Sequence, residues 1–182
     1  MTINDFTNYQ EILAKQIKKD INNLLSLGCG KMPIEHIFQA KNILGVEWAD
    51  DFLNISKEKG IVIKYDFTDI YKILVDKSFD TVLMFDSLEH IEKNNGLKLL
   101  KELENKIKHQ IIIFCPIQEK LLPLGHLKYH QDNHKRDNTP LGEHLSTWKP
   151  EDFNKLGFQI VEYSPNYHKE KGYGAVLAIK NL

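Results

Sequence analysis

The 182-residue sequence is 42% hydrophobic, 10% aromatic and 27% charged, enough for one compact domain with a sizeable core and too short for two full enzyme domains. Its 24 basic and 25 acidic residues leave a formal net charge of -1, and Arg136 is the sole arginine, a balance that argues against nucleic acid as a partner. No apolar run approaches the roughly 20 residues of a membrane-spanning helix, and the polar, amphipathic N-terminus lacks an apolar signal core, so a cytoplasmic protein with no membrane partner is expected.

Asp5–Ile21 reads as a helix with Phe6, Tyr9, Ile12, Leu13, Ile17 and Ile21 along its apolar stripe. Short apolar runs of strand type follow at Asn23–Leu27, Ile43–Glu47, Ile61–Tyr65, Phe79–Phe85, Gln110–Cys115, Phe158–Tyr163 and Ala175–Lys180. Stretches of helical spacing lie between the first five. Ala49–Lys59 is one, and Asn94–Ile107, with Leu97, Leu100, Leu103 and Ile107 at three- and four-residue steps, is clearer. Apolar strands alternating with helices predict a parallel sheet covered on both faces. Residues 117–150 carry four of the eight histidines, three prolines and no long apolar run, and read as a lid or substrate loop. A short helix, Pro150–Leu156, then leads through Gly157 to the last two strands. Only about ten residues separate those strands, too few for a helical crossover, so they should pair antiparallel. Residues 1–182 thus read as a single α/β domain. Cys29 and Cys115 lie in apolar strand-like runs, as reduced buried thiols do.

The first strand ends in Gly28-Cys29-Gly30-Lys31-Met32-Pro33. Two glycines one residue apart, directly after a strand, allow a tight turn and close approach of backbone to a ligand. Pro33 suits the first turn of a following helix, whose N-terminus favours a carboxylate or phosphate. Glu47 ends the second strand, 17 positions after Gly30, where an acid can accept hydrogen bonds from both hydroxyls of a ribose. A nicotinamide dinucleotide and S-adenosylmethionine both fit this geometry. The dinucleotide fingerprint wants a third glycine, which is absent here. Tyr167 and Lys171 have the spacing of a dehydrogenase pair but fall between the last two strands, not on a helix.

In order and spacing, these segments resemble the class I S-adenosylmethionine-dependent methyltransferases from Leu24 to about Ile179. The matching pieces are Leu25-Ser-Leu-Gly-Cys-Gly30, Leu44-Gly-Val-Glu47, Tyr65-Asp66-Phe67, Ser78 to Ile91, and Phe114-Cys115-Pro116. The resemblance implies a Rossmann-like, doubly wound seven-stranded sheet, mostly parallel with an antiparallel last strand. It implies that Gly28, Cys29 and Gly30 approach the methionine part of the cofactor, that Glu47 binds the ribose with Trp48 beside it, that Asp66 reaches the adenine amino group with Phe67 packing nearby, and that Asp86 and its neighbours line the pocket under the sulfonium. Ser26 stands where the family often has an acid, and Met32 where it has a small residue. The stretch from Asp137 to Phe158, with His144-Leu-Ser146-Thr-Trp148 before Glu151-Asp152-Phe153, looks like small bacterial methyltransferases encoded with cell-surface polysaccharide genes.

The expected activity is methyl transfer to a small polar acceptor such as a sugar or glycan precursor. A hydroxyl acceptor needs a general base, and the candidates are His90, after the fourth strand, and His144, in the lid. His126, His130 and His134 are spaced by four, as metal ligands on one helix face are, but Pro123, Gly125 and Asp132-Asn133 mark a loop, and no metal is expected there. A binding module without turnover and a nicotinamide-dependent oxidoreductase are the other readings.

Overall fold

The computed structural model describes residues 6–17, 20–30, 35–50, 52–53, 61–117, 144–168 and 173–182. Seven strands form one sheet: β1 (Asn23–Leu27), β2 (Asn42–Glu47), β3 (Ile61–Lys64), β4 (Phe79–Phe85), β5 (Ile107–Ile117), β6 (Gln159–His168) and β7 (Tyr173–Asn181). Their order is β3-β2-β1-β4-β5-β7-β6. The first five are mutually parallel, and β7 runs antiparallel to β5 and to β6. The reversal of strand order falls between β1 and β4, so a crevice opens beyond their C-terminal ends, where doubly wound sheets bind ligands.

Successive residues of the central strands bury opposite faces. Leu25, Val82, Ile111 and Ile113 belong to one apolar cluster, while Leu24, Leu83, Ile112 and Phe114 belong to the other. The first face packs under α2 (Lys93–Lys106) through Leu99, Leu100 and Leu103, and under Phe153 of α3 (Pro150–Lys155). The second is covered by Ile12 and Leu13 of α1 (Phe6–Gln16) and by Phe38. Burial on both faces is why these strands are apolar throughout rather than alternating.

Several boundaries differ from the sequence reading. The helix expected over Asp5–Ile21 ends at Gln16, whose carbonyl accepts a hydrogen bond from Gln110 Nε2 at 3.2 Å; Ile21 is buried beyond it. Ile107, expected in the helix, opens β5 and pairs with Phe79. Lys77 Nζ donates to the carbonyls of Glu104 and Ile107, at 2.8 and 2.6 Å, stopping α2 there. After β1 the described chain forms a single 3-10 turn, Glu35–Phe38; Pro33 lies outside the described residues. So does much of the expected Ala49–Lys59 helix, of which Asp50, Phe52 and Leu53 are helical. β6 and β7 extend further toward their connection than expected, because pairing goes on past the apolar run of β6 at Ser164↔Ala175 and, after a shift of register, at His168↔Tyr173. Among the described residues, no helix is long and apolar enough to cross a membrane.

Candidate active site

A cavity of about 630 Å³ lies beyond β1, β2 and β4, within the size range of small-molecule sites. Its floor is the turn after β1. Gly28 and Cys29 both donate their N–H to Val46 O, at 2.9 and 3.2 Å. Gly28 has φ +65°, and a Cβ there would stand 2.6 Å from Ser87 Cβ, so both conformation and space demand glycine. Gly30 has φ +50° but faces open space. Cys29 lines the cavity as well, and its thiol packs beside Gly45 and Val62.

Glu47 sits at the end of β2, almost wholly buried. Its Oε2 accepts from Gly30 N at 2.8 Å, and its Oε1 from Trp48 N and Ala49 N, both at 2.8 Å. The carboxylate therefore ties the glycine turn to β2 while still lining the cavity. Trp48 beside it is 47% exposed, with Lys64 Nζ 5.7 Å from its ring centroid. Asp66 lines the cavity too. It caps the 3-10 helix Phe67–Lys72, its Oδ1 accepting from Thr68 N at 2.9 Å and Thr68 Oγ1 at 2.7 Å. Phe67 Cε1 lies 3.4 Å from the place where a Cβ of Gly28 would be.

Ser26 and Glu35 meet at the same end. Ser26 Oγ donates to Glu35 Oε1 at 2.7 Å; both residues are buried and both line the cavity. An acid from nine residues later thus stands against Ser26. No sequence signal marks Glu35, because its burial depends on how the chain returns after the glycine turn.

The opposite wall follows β4. Asp86 takes φ +45°, a strained value for a residue with a side chain, and its N–H donates to Phe114 O at 3.0 Å. Ser87 Oγ is buried and lacks a hydrogen-bond partner among the described residues, as a group reserved for a ligand would. Glu89 and His90 follow in a 3-10 turn, Leu88–His90. Glu89 is 2% exposed. Its carboxylate lies 3.8 Å from the Cys115 thiol and, through Oε1, 3.8 Å from His90 Nε2. Burial pushes its pKa up to about 8. Burial likewise raises Cys115, reinforced by the charges of Glu89 and Asp86.

His144 comes to this wall from 54 residues away in sequence, its ring centroid 5.0 Å from that of His90 and nearly perpendicular to it. The His144–Trp148 stretch explains how. Leu145 N and Ser146 N both donate to Glu89 O, at 2.8 and 3.1 Å. Trp148 is wholly buried, and its indole N–H donates to Ser146 Oγ at 2.8 Å. The ring lies over Gly96 of α2, stacks on Phe153 and carries Lys93 Nζ 3.5 Å from its centroid. Lys93 also donates to Thr147 O and Asp152 Oδ2, each at 2.8 Å. Trp148, expected in the lid, is therefore core, and the Ser-x-Trp part of the motif clamps the segment that presents His144. Residues 118–143 of the expected lid, with His126, His130 and His134, lie outside the described residues, as does Lys171.

The structure thus gathers Gly28, Gly30, Glu47, Trp48, Asp66, Phe67, Asp86 and His90 around one cavity, and brings His144 against His90. Glu35 and Glu89 escaped sequence reasoning, whereas Ser87 falls among the neighbours of Asp86 expected to line the pocket. Each acid is buried by tertiary contacts, and an acid beside a histidine reads in sequence as a solvated turn.

A methyltransferase-domain family model matches residues 25–115. Solved structures of low identity share the fold. A protein of Pyrococcus horikoshii is 18% identical, with 98% of this chain and 92% of that chain covered and a TM-score of 0.63. A SAM-dependent methyltransferase of Archaeoglobus fulgidus is 19% identical, with 97% and 100% covered and a TM-score of 0.60. The magnesium protoporphyrin IX methyltransferase of Synechocystis, solved with SAH bound, is 16% identical, with 96% and 80% covered and a TM-score of 0.64. No curated protein matches the sequence.

Proposed function

This chain belongs to the methyltransferase-domain family, whose cofactor is S-adenosylmethionine, and from that premise we propose that it methylates a small polar acceptor in the cavity beyond β1 and β4. The cofactor supplies a methyl group already activated on a sulfonium sulfur. What remains for the protein is to bind, align and exclude water.

The observation that carries this reading is the anchored turn at the floor of a cavity of fitting size: Gly28 and Gly30 at positive φ, with Gly28 held to Val46 O and Gly30 to the Glu47 carboxylate. Glu47 would accept from a ribose hydroxyl with the Oε2 lone pair that Gly30 leaves open. Trp48 and Phe67 would flank the adenine, and Asp66 would accept from its amino group. The buried Ser26–Glu35 pair would face the methionine ammonium. Ser87 Oγ and Asp86 would line the methyl end. His90 and His144 stand beyond them as the groups able to polarise or deprotonate an acceptor hydroxyl. The resemblance of the Asp137–Phe158 stretch to polysaccharide-associated methyltransferases supports a sugar or glycan precursor as that acceptor.

Calorimetric titration with S-adenosylmethionine and S-adenosylhomocysteine tests the reading. Saturable one-to-one binding is expected, and no heat at millimolar ligand would sink it. Cofactor binding without methyl transfer to any component of the producing cell's extract would instead mark a binding module.

A further inference from the structure

Glu89, His90 and His144 each offer one donor atom, and all three atoms lie within 4.8 Å of one another. We propose that these residues form a divalent-cation site at the acceptor end of the cavity, and that the acceptor is a hydroxyl compound that binds through the cation. The second half rests on the methyl-transfer reading, whereas the first does not.

Three observations carry the site. The donor set is two imidazoles and a carboxylate, which suits a first-row divalent ion and leaves coordination positions open for water or substrate. Ligands at about 2.0–2.2 Å from one ion stand about 3–4 Å apart, so modest side-chain rotation closes this set onto a cation. The donors are also built in rather than merely near. Glu89 O accepts from both Leu145 N and Ser146 N, which fixes the His144 segment to the Glu89 turn, and Trp148 with Ser146 fixes the clamp from behind. The Cys115 thiol backs the Glu89 carboxylate from the buried side, as outer groups orient metal ligands. Finally, Glu89 is an acid at 2% exposure, with His90 Nε2 3.8 Å from its Oε1. A buried carboxylate facing two imidazoles is better compensated by a cation than by a histidine 3.8 Å away.

The site also has a place in the chemistry. His90 and Leu145 line the cavity, next to Asp86 and Ser87. A hydroxyl coordinated there becomes more acidic and sheds its proton to solvent. The resulting oxygen forms the O–CH3 bond as the S–CH3 bond breaks, and the electron pair of that bond stays on sulfur. Neither histidine then has to carry the proton. A vicinal diol or catechol, able to hold the cation through two oxygens, is the acceptor class that this arrangement favours.

The experiment titrates Co2+ into the full chain, read by calorimetry and by visible absorption, with S-adenosylhomocysteine affinity measured in parallel. One Co2+ per chain with ligand-field bands is expected. His90→Ala and His144→Ala should each weaken it at least about tenfold while S-adenosylhomocysteine affinity stays within twofold, which also reports an intact fold. Glu89→Gln, checked for folding by circular dichroism, should do the same. Catechol should shift the Co2+ bands of the wild type. Absence of Co2+ binding, or binding that survives the His90→Ala/His144→Ala double variant, overturns the site; unshifted bands with catechol overturn the acceptor class. Co2+ binding without S-adenosylhomocysteine binding removes the methyl-transfer reading and leaves the site standing, and the reverse result removes the site alone.

Discussion

Glu47 Oε2 accepts the N–H of Gly30 at 2.8 Å, joining the end of β2 to the turn after β1. The other oxygen takes the N–H groups of Trp48 and Ala49, so one side chain satisfies three backbone donors around the cavity. A ribose-binding acid at a strand end is expected to matter for ligand only. This one also sets the shape of the glycine turn. Glu47→Ala should therefore weaken cofactor binding by about 1.5–3 kcal/mol and lower folding stability by about 1–3 kcal/mol. Calorimetry and denaturant melts check the two losses. A variant as stable as the wild type would mean that the turn holds itself.

The two glycines of that turn should differ. Both require positive φ, but only at Gly28 would a Cβ collide with another residue, Ser87 Cβ at 2.6 Å. Gly30→Ala should cost about 1–2 kcal/mol from the left-handed backbone alone. Gly28→Ala should cost clearly more and should abolish cofactor binding, since Ser87 must move. Equal losses at the two positions in thermal melts would contradict the steric argument.

The sheet was legible because its chemistry is local. Leu24-Leu25, Val82-Leu83 and Ile111-Ile112 bury adjacent side chains on opposite faces, so each strand announces itself as a fully apolar run. The glycine turn and Glu47 were legible for a similar reason, as spacing along two neighbouring strands. What stayed hidden depends on distant partners. Ile107 keeps helical spacing with Leu103, yet Phe79 claims it for the sheet. Trp148 sits in a polar, proline-bearing stretch, and its slot is made by Gly96 and Lys93, some fifty residues earlier. Glu89 becomes buried only when residues 144–146 fold over it.

Acid stability should be governed in part by Asp80, at the far end of the sheet from the cavity. Burial raises its pKa, but the N–H groups of Asn23 and Asn22 and the ammonium of Lys108 outweigh that, and the net shift is downward. A carboxylate with a depressed folded-state pKa stabilises the fold fully above its unfolded value of about 3.9 and loses that contribution as pH falls through the folded value. Asp80→Asn should thus lower stability at neutral pH by about 1.5–3 kcal/mol and flatten the acid limb of the stability curve. Denaturant midpoints measured from pH 7 down to pH 2 check it. An acid limb as steep as that of the wild type would assign the limb to other groups.

Gly96 and Trp148 give the sharpest test of the clamp. Alanine is a better helix former than glycine by about 1 kcal/mol, so Gly96→Ala in α2 should stabilise if the site were open. A Cβ there would instead stand 2.7 Å from Trp148 Cζ2. The indole has little freedom to yield, being hydrogen-bonded to Ser146 Oγ, stacked on Phe153 and covered by Lys93. Gly96→Ala should therefore destabilise by about 1–3 kcal/mol, the usual cost of overpacking. The strain should travel along the clamp, since Ser146 and Leu145 hold Glu89 O and carry His144 with them. Turnover on the true acceptor should fall while S-adenosylhomocysteine affinity stays level, because the glycine turn and Glu47 lie on the other side of the cavity. Trp148→Phe removes both the obstructing ring edge and the indole N–H, so Gly96→Ala should cost less in that background, leaving a coupling energy of at least about 0.5 kcal/mol in a double-mutant cycle. Strictly additive effects would mean that the helix shifts to admit the methyl group, and that His144 is positioned by something other than the Trp148 clamp.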